Sequence, residues 1–279
     1  DGRGGGYGGG CDPFARGLPD RAAEMEIFGP APGPGSTDGA ADFAQYASVP
    51  VHVEGRGRPA AVADFEGLEL PPSLRRNVAR AGYTAPTPIQ AHAIPAALAS
   101  RDVLGCAQTG SGKTAAFLLP TIARLLAKGA LPERARRRAT PSGLVLAPTR
   151  ELSAQIFAEA RKFCYRTGVR PVVVYGGAPI VDQLRELERG CELLVATPGR
   201  LVDLLERCRV DVCHVEVLTL DEADRMLDMG FEPQIRAICA PRDGGMPPPG
   251  ARQTLLFSAT WPREIAALAR DFGREYVRV

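Results

Sequence analysis

Val103-Leu104-Gly105-Cys106-Ala107-Gln108-Thr109-Gly110-Ser111-Gly112-Lys113-Thr114 is the stretch on which the reading of the whole chain turns. It opens as a short apolar run, passes into a glycine-rich turn and leads into a helical pattern. Strand, glycine turn and helix are the context that a phosphate loop requires. Glycines let backbone N–H groups converge on an anion, and the helix N-terminus adds partial positive charge. In this reading Thr109, Gly110, Ser111 and Gly112 surround the phosphates. Lys113 reaches the β- and γ-phosphates, and the Thr114 hydroxyl sits on Mg²⁺. Ala107 departs from the usual G-x-x-x-x-G-K-[ST] pattern, which has glycine there. Lysine is scarce, found only at 113, 128 and 162, which sets its place in this turn apart.

Working outward, the same rhythm repeats. The apolar runs VLGCA, LVLA, VVVY, LLVA, VLTL and TLLF alternate with helical patterns from about Val62 onward. Strands alternating with helices imply βαβ units, hence an α/β fold with a mainly parallel sheet covered by helices on both faces. Ligands of such sheets bind outside the carboxyl ends of the strands. Every run here is followed by a polar or glycine-rich turn: AQTGSGKT, APTREL, YGGA, ATPGR, DEAD and SAT. The candidate chemical residues therefore fall at one edge of one sheet.

Composition bounds the rest. The 279 residues carry 34 Lys plus Arg against 32 Asp plus Glu, so any nucleic-acid contact must come from a local patch. No apolar run approaches the roughly 20 residues of a membrane helix, and DGRGGGYGGG does not read as a signal peptide. Seven scattered cysteines without a C-x-x-C pair suggest neither a disulfide framework nor a zinc site. They point to a reducing compartment, the cytoplasm or also the nucleus. The chain does not begin with Met, as expected of a fragment or a processed form. Gly and Pro crowd the stretch before residue 60, and segments such as FGPAPGPGSTDG cannot bury enough apolar surface to offset chain entropy. Residues 1–59 read as a mostly disordered Gly/Pro-rich arm, and 60–279 as the folded domain. The arm's Arg/Gly/Tyr start suits loose contact with single-stranded RNA, or is a plain flexible tail.

Asp221-Glu222-Ala223-Asp224 follows the apolar run Val217–Leu220. An Asp at the end of a buried strand, paired with a phosphate loop, is the place for a carboxylate linked to Mg²⁺, directly or through water. Glu222, one residue further, can orient or deprotonate a water in line with the γ-phosphate. An acidic turn by itself is also a common helix N-cap.

Asp-Glu-Ala-Asp resembles the signature of the DEAD-box RNA helicases, and residues 65–279 resemble the first of that family's two RecA-like domains. The likeness extends through Phe65, Gly82-Tyr83-Thr84-Ala85-Pro86-Thr87-Pro88-Ile89-Gln90, Pro148-Thr149-Arg150-Glu151-Leu152, Gly176-Gly177, Thr197-Pro198-Gly199-Arg200 and Ser258-Ala259-Thr260. Ala107 is normal in that family. RMLDMGFEPQIR and RKFCYRTGVRPVVVYGG are most similar to the Ded/Vasa branch, as are EIFG, Phe43, Tyr46 and PVHVEG before the core.

The resemblance implies ATP and Mg²⁺ as cofactors and RNA as partner. Gln90 would match adenine's N6 and N7 edge with one donor and one acceptor, selecting ATP over GTP. Tyr83 would stack on the adenine and Phe65 pack behind it, unless both serve the core. Ala85 replaces a longer side chain frequent in relatives. Pro148, Thr149, Arg150, Gly176, Gly177, Thr197, Gly199 and Arg200 resemble contacts to the RNA backbone. Hydroxyls, open N–H groups and arginines suit phosphates and 2′-hydroxyls, so binding should ignore sequence and fall with salt. Helix capping by the threonines and surface pairing by the arginines are the plain alternatives. Asp224, Ser258 and Thr260 resemble residues that couple nucleotide state to RNA contact; an ST-turn is the bland version.

Two segments stand apart. Lys128–Gly143 contains Arg134, Arg136, Arg137 and Arg138, an RNA-facing loop or a solvated charge run. Pro241–Gly250 is a loop with no assigned chemistry. Family members continue into a second RecA-like domain that supplies arginine fingers, each worth about 10³ to 10⁵ in rate. On that resemblance the chain by itself binds nucleotide weakly and barely turns over. The leading function is an ATP-dependent RNA helicase represented by its N-terminal half; a natural half-helicase that only binds RNA or protein, and an unrelated P-loop ATPase, are the others. Gln90 and the ordered RNA motifs argue against the last.

Overall fold

The computed structural model describes residues 13–16, 20–29, 49–129, 138–240 and 245–279. Its strands are β1 (Val103–Cys106), β2 (Gly143–Leu146), β3 (Pro171–Val174), β4 (Leu193–Ala196), β5 (Val217–Leu220), β6 (Gln253–Ser258) and β7 (Val277–Arg278). They form one sheet in the order β3-β4-β2-β5-β6-β1-β7, and every neighbouring pair is parallel. Six of these strands are the apolar runs read from the sequence. The seventh, β7, is two residues long and carried no turn signal that marks it.

The helices are α1 (Arg21–Phe28), α2 (Pro72–Arg80), α3 (Pro88–Leu98), α4 (Lys113–Lys128) and α5 (Arg150–Cys164), followed by α6 (Ile180–Glu188), α7 (Pro198–Glu206), α8 (Ala223–Asp228), α9 (Glu232–Cys239) and α10 (Arg263–Phe272). Side chains alternate across each strand with period two. Val145, Val195, Leu255 and Phe257 point to the face covered by α2–α5. Leu144, Leu146, Leu194 and Leu256 point to the face covered by α6–α10. Each such side chain, fully withdrawn from water, contributes about 1.5–3 kcal/mol before chain entropy is set against it. A sheet buried on both faces explains why the strands read as unbroken apolar runs. Among the described residues no helix is long and apolar enough to cross a membrane.

Local signals fix the helix ends. Thr149 caps α5, accepting from the Leu152 N–H at 3.2 Å. Glu151 lies in its first turn and Arg161 and Lys162 in its last, each complementing the helix dipole. Gly105, within β1, is required by close approach. A Cβ there would fall 2.4 Å from the Phe257 ring of the neighbouring β6.

Parts of the stretch 1–59, read as mostly disordered, are seated on the domain. Phe14 and Ile27 are buried, α1 is capped by Asp20, and Glu54 pairs antiparallel with Arg278 of β7. Averaged composition hid them: RAAEMEIF is a short helical word inside Gly/Pro-rich surroundings. Arg134, Arg136 and Arg137 of the basic loop, and Phe43 and Tyr46, lie outside the described residues.

Candidate functional site

The sheet order sorts the candidate residues into two neighbouring groups. The strands β5, β6 and β1 lie side by side and end in the acidic turn, Ser258-Ala259-Thr260 and the phosphate loop. On the other side β2, β4 and β3 end in Thr149-Arg150, Thr197–Arg200 and Gly176-Gly177. The boundary is the β2–β5 pair.

In the phosphate loop, Gly110 and Gly112 have φ of 84° and 91°, the left-handed region that glycine allows. Lys113 opens α4, is buried, and donates from Nζ to the Ala107 carbonyl at 2.7 Å. Ser111 Oγ donates to the Gln108 carbonyl at 2.7 Å. The loop is thus folded around its own lysine, with Thr109 and Gly110 exposed and Thr114 half-buried on the first turn of α4.

Asp221 is buried at the end of β5 and accepts from the Glu222 N–H at 3.0 Å. Burial pushes its carboxyl up to about 6, against the opposing pull of the Lys113 charge and with a further push from Glu222. Glu222 adopts φ 50°, ψ 51°, a left-handed conformation that costs a side-chain-bearing residue about 1–2 kcal/mol. Its carboxylate meets Arg225 Nη1 at 3.2 Å. A buried carboxylate short of positive charge, one residue from a half-buried one and close to an ammonium, suits a divalent cation bridging to phosphate. The donor set of Thr114 and Asp221 fits Mg²⁺, and the glycine loop with Lys113 fits a polyphosphate.

Asp224 joins β5 to β6. Its Oδ2 accepts from the Thr260 N–H at 3.0 Å and from Thr260 Oγ1 at 2.7 Å. Burial pushes the Asp224 carboxyl up, but Thr260, the Ser258 hydroxyl and the Arg225 N–H together outweigh it and hold it below the usual range. The buried Ser258 hydroxyl adds to that field without closing a bond of normal geometry.

The adenine candidates are placed differently from the sequence expectation. Gln90 is fully buried and engaged at both ends: Oε1 accepts from the Thr87 N–H at 2.9 Å, and Nε2 donates to the Gly112 carbonyl at 3.0 Å. It ties the start of α3 to the phosphate loop. Phe65 is buried edge-on to Tyr83 at 5.9 Å, and Tyr83 packs on Phe163 at 5.5 Å while its hydroxyl donates to Glu159 at 3.0 Å. Burial and the Glu159 carboxylate push the Tyr83 phenol above its ordinary value. In this conformation both rings serve the core, the alternative open from the sequence.

The RNA candidates converge. Arg200 donates to Gln183 Oε1 and to the Ala178 carbonyl, both at 3.1 Å. Gln183 also holds both backbone groups of Tyr175. The Arg150 guanidinium lies 5.0 Å from the Tyr175 ring. Thr197 Oγ1 accepts from the Gly176 N–H at 3.3 Å. Gly176, Gly177 and Gly199 are exposed, whereas Pro148 is buried and the Thr149 hydroxyl is spent on its helix. Tyr175 and Gln183, which organise the group, escaped the sequence reading. The only available signal was a glutamine on the inner face of an amphipathic helix.

A cavity of about 610 Å³ opens on the β7 side of the phosphate loop, between Ala107, Gln108 and Ser111 and the extended segment Val49–Glu54. It does not include Lys113, Thr114, Asp221 or Glu222.

With this geometry in hand, comparison with known families is decisive. The model of the DEAD/DEAH box helicases matches residues 87–268. The chain belongs to the DEAD/DEAH box helicase family. This helicase domain is similar to the RNA helicase Prp28 from Chaetomium thermophilum bound to ADP, at 38% identity and a TM-score of 0.71. That match covers 86% of this chain and 56% of that one. It is also similar to the yeast DEAD-box splicing factor Prp28, at 34% identity and a TM-score of 0.75, over 84% and 53%. A DEAD box protein from the hyperthermophile Methanococcus jannaschii matches at 31% identity and 0.67, over 78% and 56%. The chain therefore spans little more than half the length of the helicases it resembles. The RecA-like fold expected of residues 65–279 is the fold observed.

Proposed function

We propose that the chain is the N-terminal, nucleotide-binding half of an ATP-dependent RNA helicase, with residues 60–279 as its RecA-like domain and 1–59 as an arm. One observation carries this reading. The phosphate loop, the Asp221–Glu222 turn and the Asp224–Thr260 link stand on adjacent strands beside a separate cluster of backbone-binding groups. Nucleotide and RNA then meet one sheet edge, and Asp224 ties β5 to β6 on the phosphate-loop side of the boundary.

In this proposal Lys113 and the loop N–H groups would hold the β- and γ-phosphates, and Thr114 and Asp221 would hold Mg²⁺. Bound Mg²⁺ supplies charge neutralisation for phosphoryl transfer. Glu222 orients the attacking water and accepts its proton. Gln90 reads adenine by exchanging its bond to the Gly112 carbonyl for the base edge, so nucleotide binding is felt by the loop. Tyr83 and Phe65 would act from behind, as core supports of this region. Arg150, Gly176, Gly177, Thr197, Gly199 and Arg200 contact RNA phosphates and sugars, with Pro148 and Thr149 shaping the turn.

A second RecA-like domain elsewhere in the protein completes the site, and strand separation follows from closure of the two domains around bent RNA. By itself this half binds nucleotide weakly and turns over slowly. The wording of RMLDMGFEPQIR and PVHVEG supports the Ded/Vasa branch, and the cysteine pattern supports a cytoplasmic or nuclear location.

The test is titration of the chain with a fluorescent ADP analogue and Mg²⁺, with and without Lys113→Ala. The variant should lose affinity at least tenfold, because a charge-assisted contact to phosphate is worth more than 1.4 kcal/mol. Equal affinity would refute the phosphate-loop assignment. RNA-stimulated ATP hydrolysis by the whole protein, abolished by Glu222→Gln, tests the helicase reading. RNA binding without hydrolysis would leave a binding module in its place.

A further inference from the structure

Away from the phosphate-loop edge, the described residues 13–16 and 20–29 are seated on the domain by side-chain hydrogen bonds, such as Arg16 Nε to the Thr167 carbonyl at 3.2 Å, and by contacts of three further kinds. The first is backbone pairing: the Arg166 N–H donates to the Pro13 carbonyl at 3.0 Å, and the Gly168 N–H to the Phe14 carbonyl at 2.8 Å. The second is aromatic. Phe14 is buried with the Arg170 guanidinium 5.9 Å from its ring. Phe28 meets Tyr165 edge-on at 5.6 Å, and Arg80 lies over both rings at 5.6 and 5.8 Å. The third is ionic: Glu24 pairs with Arg80, and Glu26 with Arg161 at 2.6 Å. The receiving surface is the turn Tyr165–Gly168 with the facing sides of α2 and α5.

This surface is built to receive a peptide. It offers the N–H groups of Arg166 and Gly168, the Tyr165 ring and the guanidinium groups of Arg80, Arg161 and Arg170. The occupant supplies carbonyls, two phenylalanine anchors and two carboxylates. An isolated helix of eight residues is too short to be stable in water, so α1 owes its form to the surface. Its ion pairs are wet, with Arg80 46% and Glu26 67% exposed, and so add little to the buried Phe14 and Ile27. Tethering raises the local concentration of such an occupant without making it permanent. The surface also lies behind the nucleotide motif. Asn77 of α2 donates to the carbonyls of Phe163 and Tyr165, and Tyr83 packs on Phe163.

We propose that the turn Tyr165–Gly168, α2 and α5 form an exchangeable peptide-docking surface. The chain's own Pro13–Arg16 and Asp20–Phe28 occupy it in cis, and a phenylalanine-anchored segment of another polypeptide, with carboxylates placed as Glu24 and Glu26 are, can replace them.

Hydrogen exchange on the full chain tests this at two amides, Arg166 and Gly168. Phe14→Ala with Phe28→Ala should speed their exchange about tenfold or more, while the amides of Leu144 and Leu194 keep wild-type rates. A synthetic peptide of residues 11–29 should restore the slow rates in that variant and bind the intact chain far more weakly, since the surface is already filled. Glu26→Arg should weaken docking, and Arg161→Glu added to it should recover it; this pair keeps the test open should the aromatic variant misfold. The proposal fails if the two amides exchange as fast in the wild type as in the variant, or if the peptide binds both chains equally or neither. It also fails if single-stranded RNA, and not the peptide, restores protection, which would make the surface a nucleic-acid patch.

Discussion

Replacing Gly112 by Ala probes the joint between the phosphate loop and α3. The new Cβ would lie 2.5 Å from Gln90 Nε2 and 3.1 Å from Thr87 Oγ1. It would also hold an L-residue at φ 91°, at about 1–2 kcal/mol. Relief of the overlap requires the Gln90 amide to leave the Gly112 carbonyl, and a buried amide left unpaired costs about 1–3 kcal/mol. The total is about 3 kcal/mol. At roughly 2–4 °C per kcal/mol for a domain of this size, the melting temperature should drop by about 6–12 °C. Circular dichroism melts at pH 7.5 measure it. A double-mutant cycle isolates the cause. With Gln90→Ala already present, the overlap is gone and Gly112→Ala should cost only the conformational term, about 1–2 kcal/mol. A variant that melts with the wild type, or costs that add without interaction, would refute the lock between Gln90 and the loop.

Two further substitutions separate stability from chemistry. Asp221 has its native pKa raised to about 6, so the native state binds the proton more tightly than the unfolded chain. Its ionised form therefore destabilises the empty domain above that pH, and the penalty fades as pH falls through 6 toward 4. In EDTA, Asp221→Asn should stabilise by about 1–3 kcal/mol at pH 8 and lose that advantage at pH 4.5; a pH-independent difference in urea melts would contradict the burial of its charge. Glu222→Gly should raise the melting temperature by about 2–4 °C, because relief of the left-handed strain outweighs one ion pair whose Arg225 end is exposed. Nucleotide binding should persist and hydrolysis by the whole helicase disappear. A lower melting temperature would mean that Glu222 is not strained.

The strands were legible because a two-faced parallel sheet demands unbroken apolar runs, and Leu193–Ala196 or Val217–Leu220 can be little else. The phosphate loop was legible because its glycines, its lysine and the flanking elements must agree. Strand order was not. Nothing in the spacing says that Gln253–Ser258 inserts between β5 and β1, yet that insertion brings Thr260 to Asp224. The fate of Gln90 was hidden for a related reason. A glutamine can match an adenine edge or a pair of backbone groups equally well, and only the fold reveals the Gly112 carbonyl within 3.0 Å. Tyr175 and Gln183 looked like ordinary residues of a strand end and a helix, because their role is to hold Arg150 and Arg200, not to carry chemistry. The helix α1 was lost in the average composition of its surroundings, and β7 in its brevity.

The two halves of the sheet edge differ in what they leave unsatisfied. On the side proposed for RNA, Arg200, Thr197 and Gln183 are already bonded, and Arg150 already stacks. On the side proposed for nucleotide, Glu222 is strained and Asp221 is buried short of positive charge. Strain and unmet polar groups persist only where something else sustains them, and a ligand that supplies the missing partners removes them. Nucleotide should therefore rearrange its side, and RNA should leave its side as it is. Hydrogen exchange distinguishes the two. Mg²⁺ with ADP should change the rates at the Thr87 and Glu222 amides, the first because Gln90 Oε1 is its acceptor. A single-stranded RNA should leave the Gly176 amide at its unliganded rate. If RNA remodels Gly176 while nucleotide leaves Thr87 untouched, the prearranged half has been assigned to the wrong ligand.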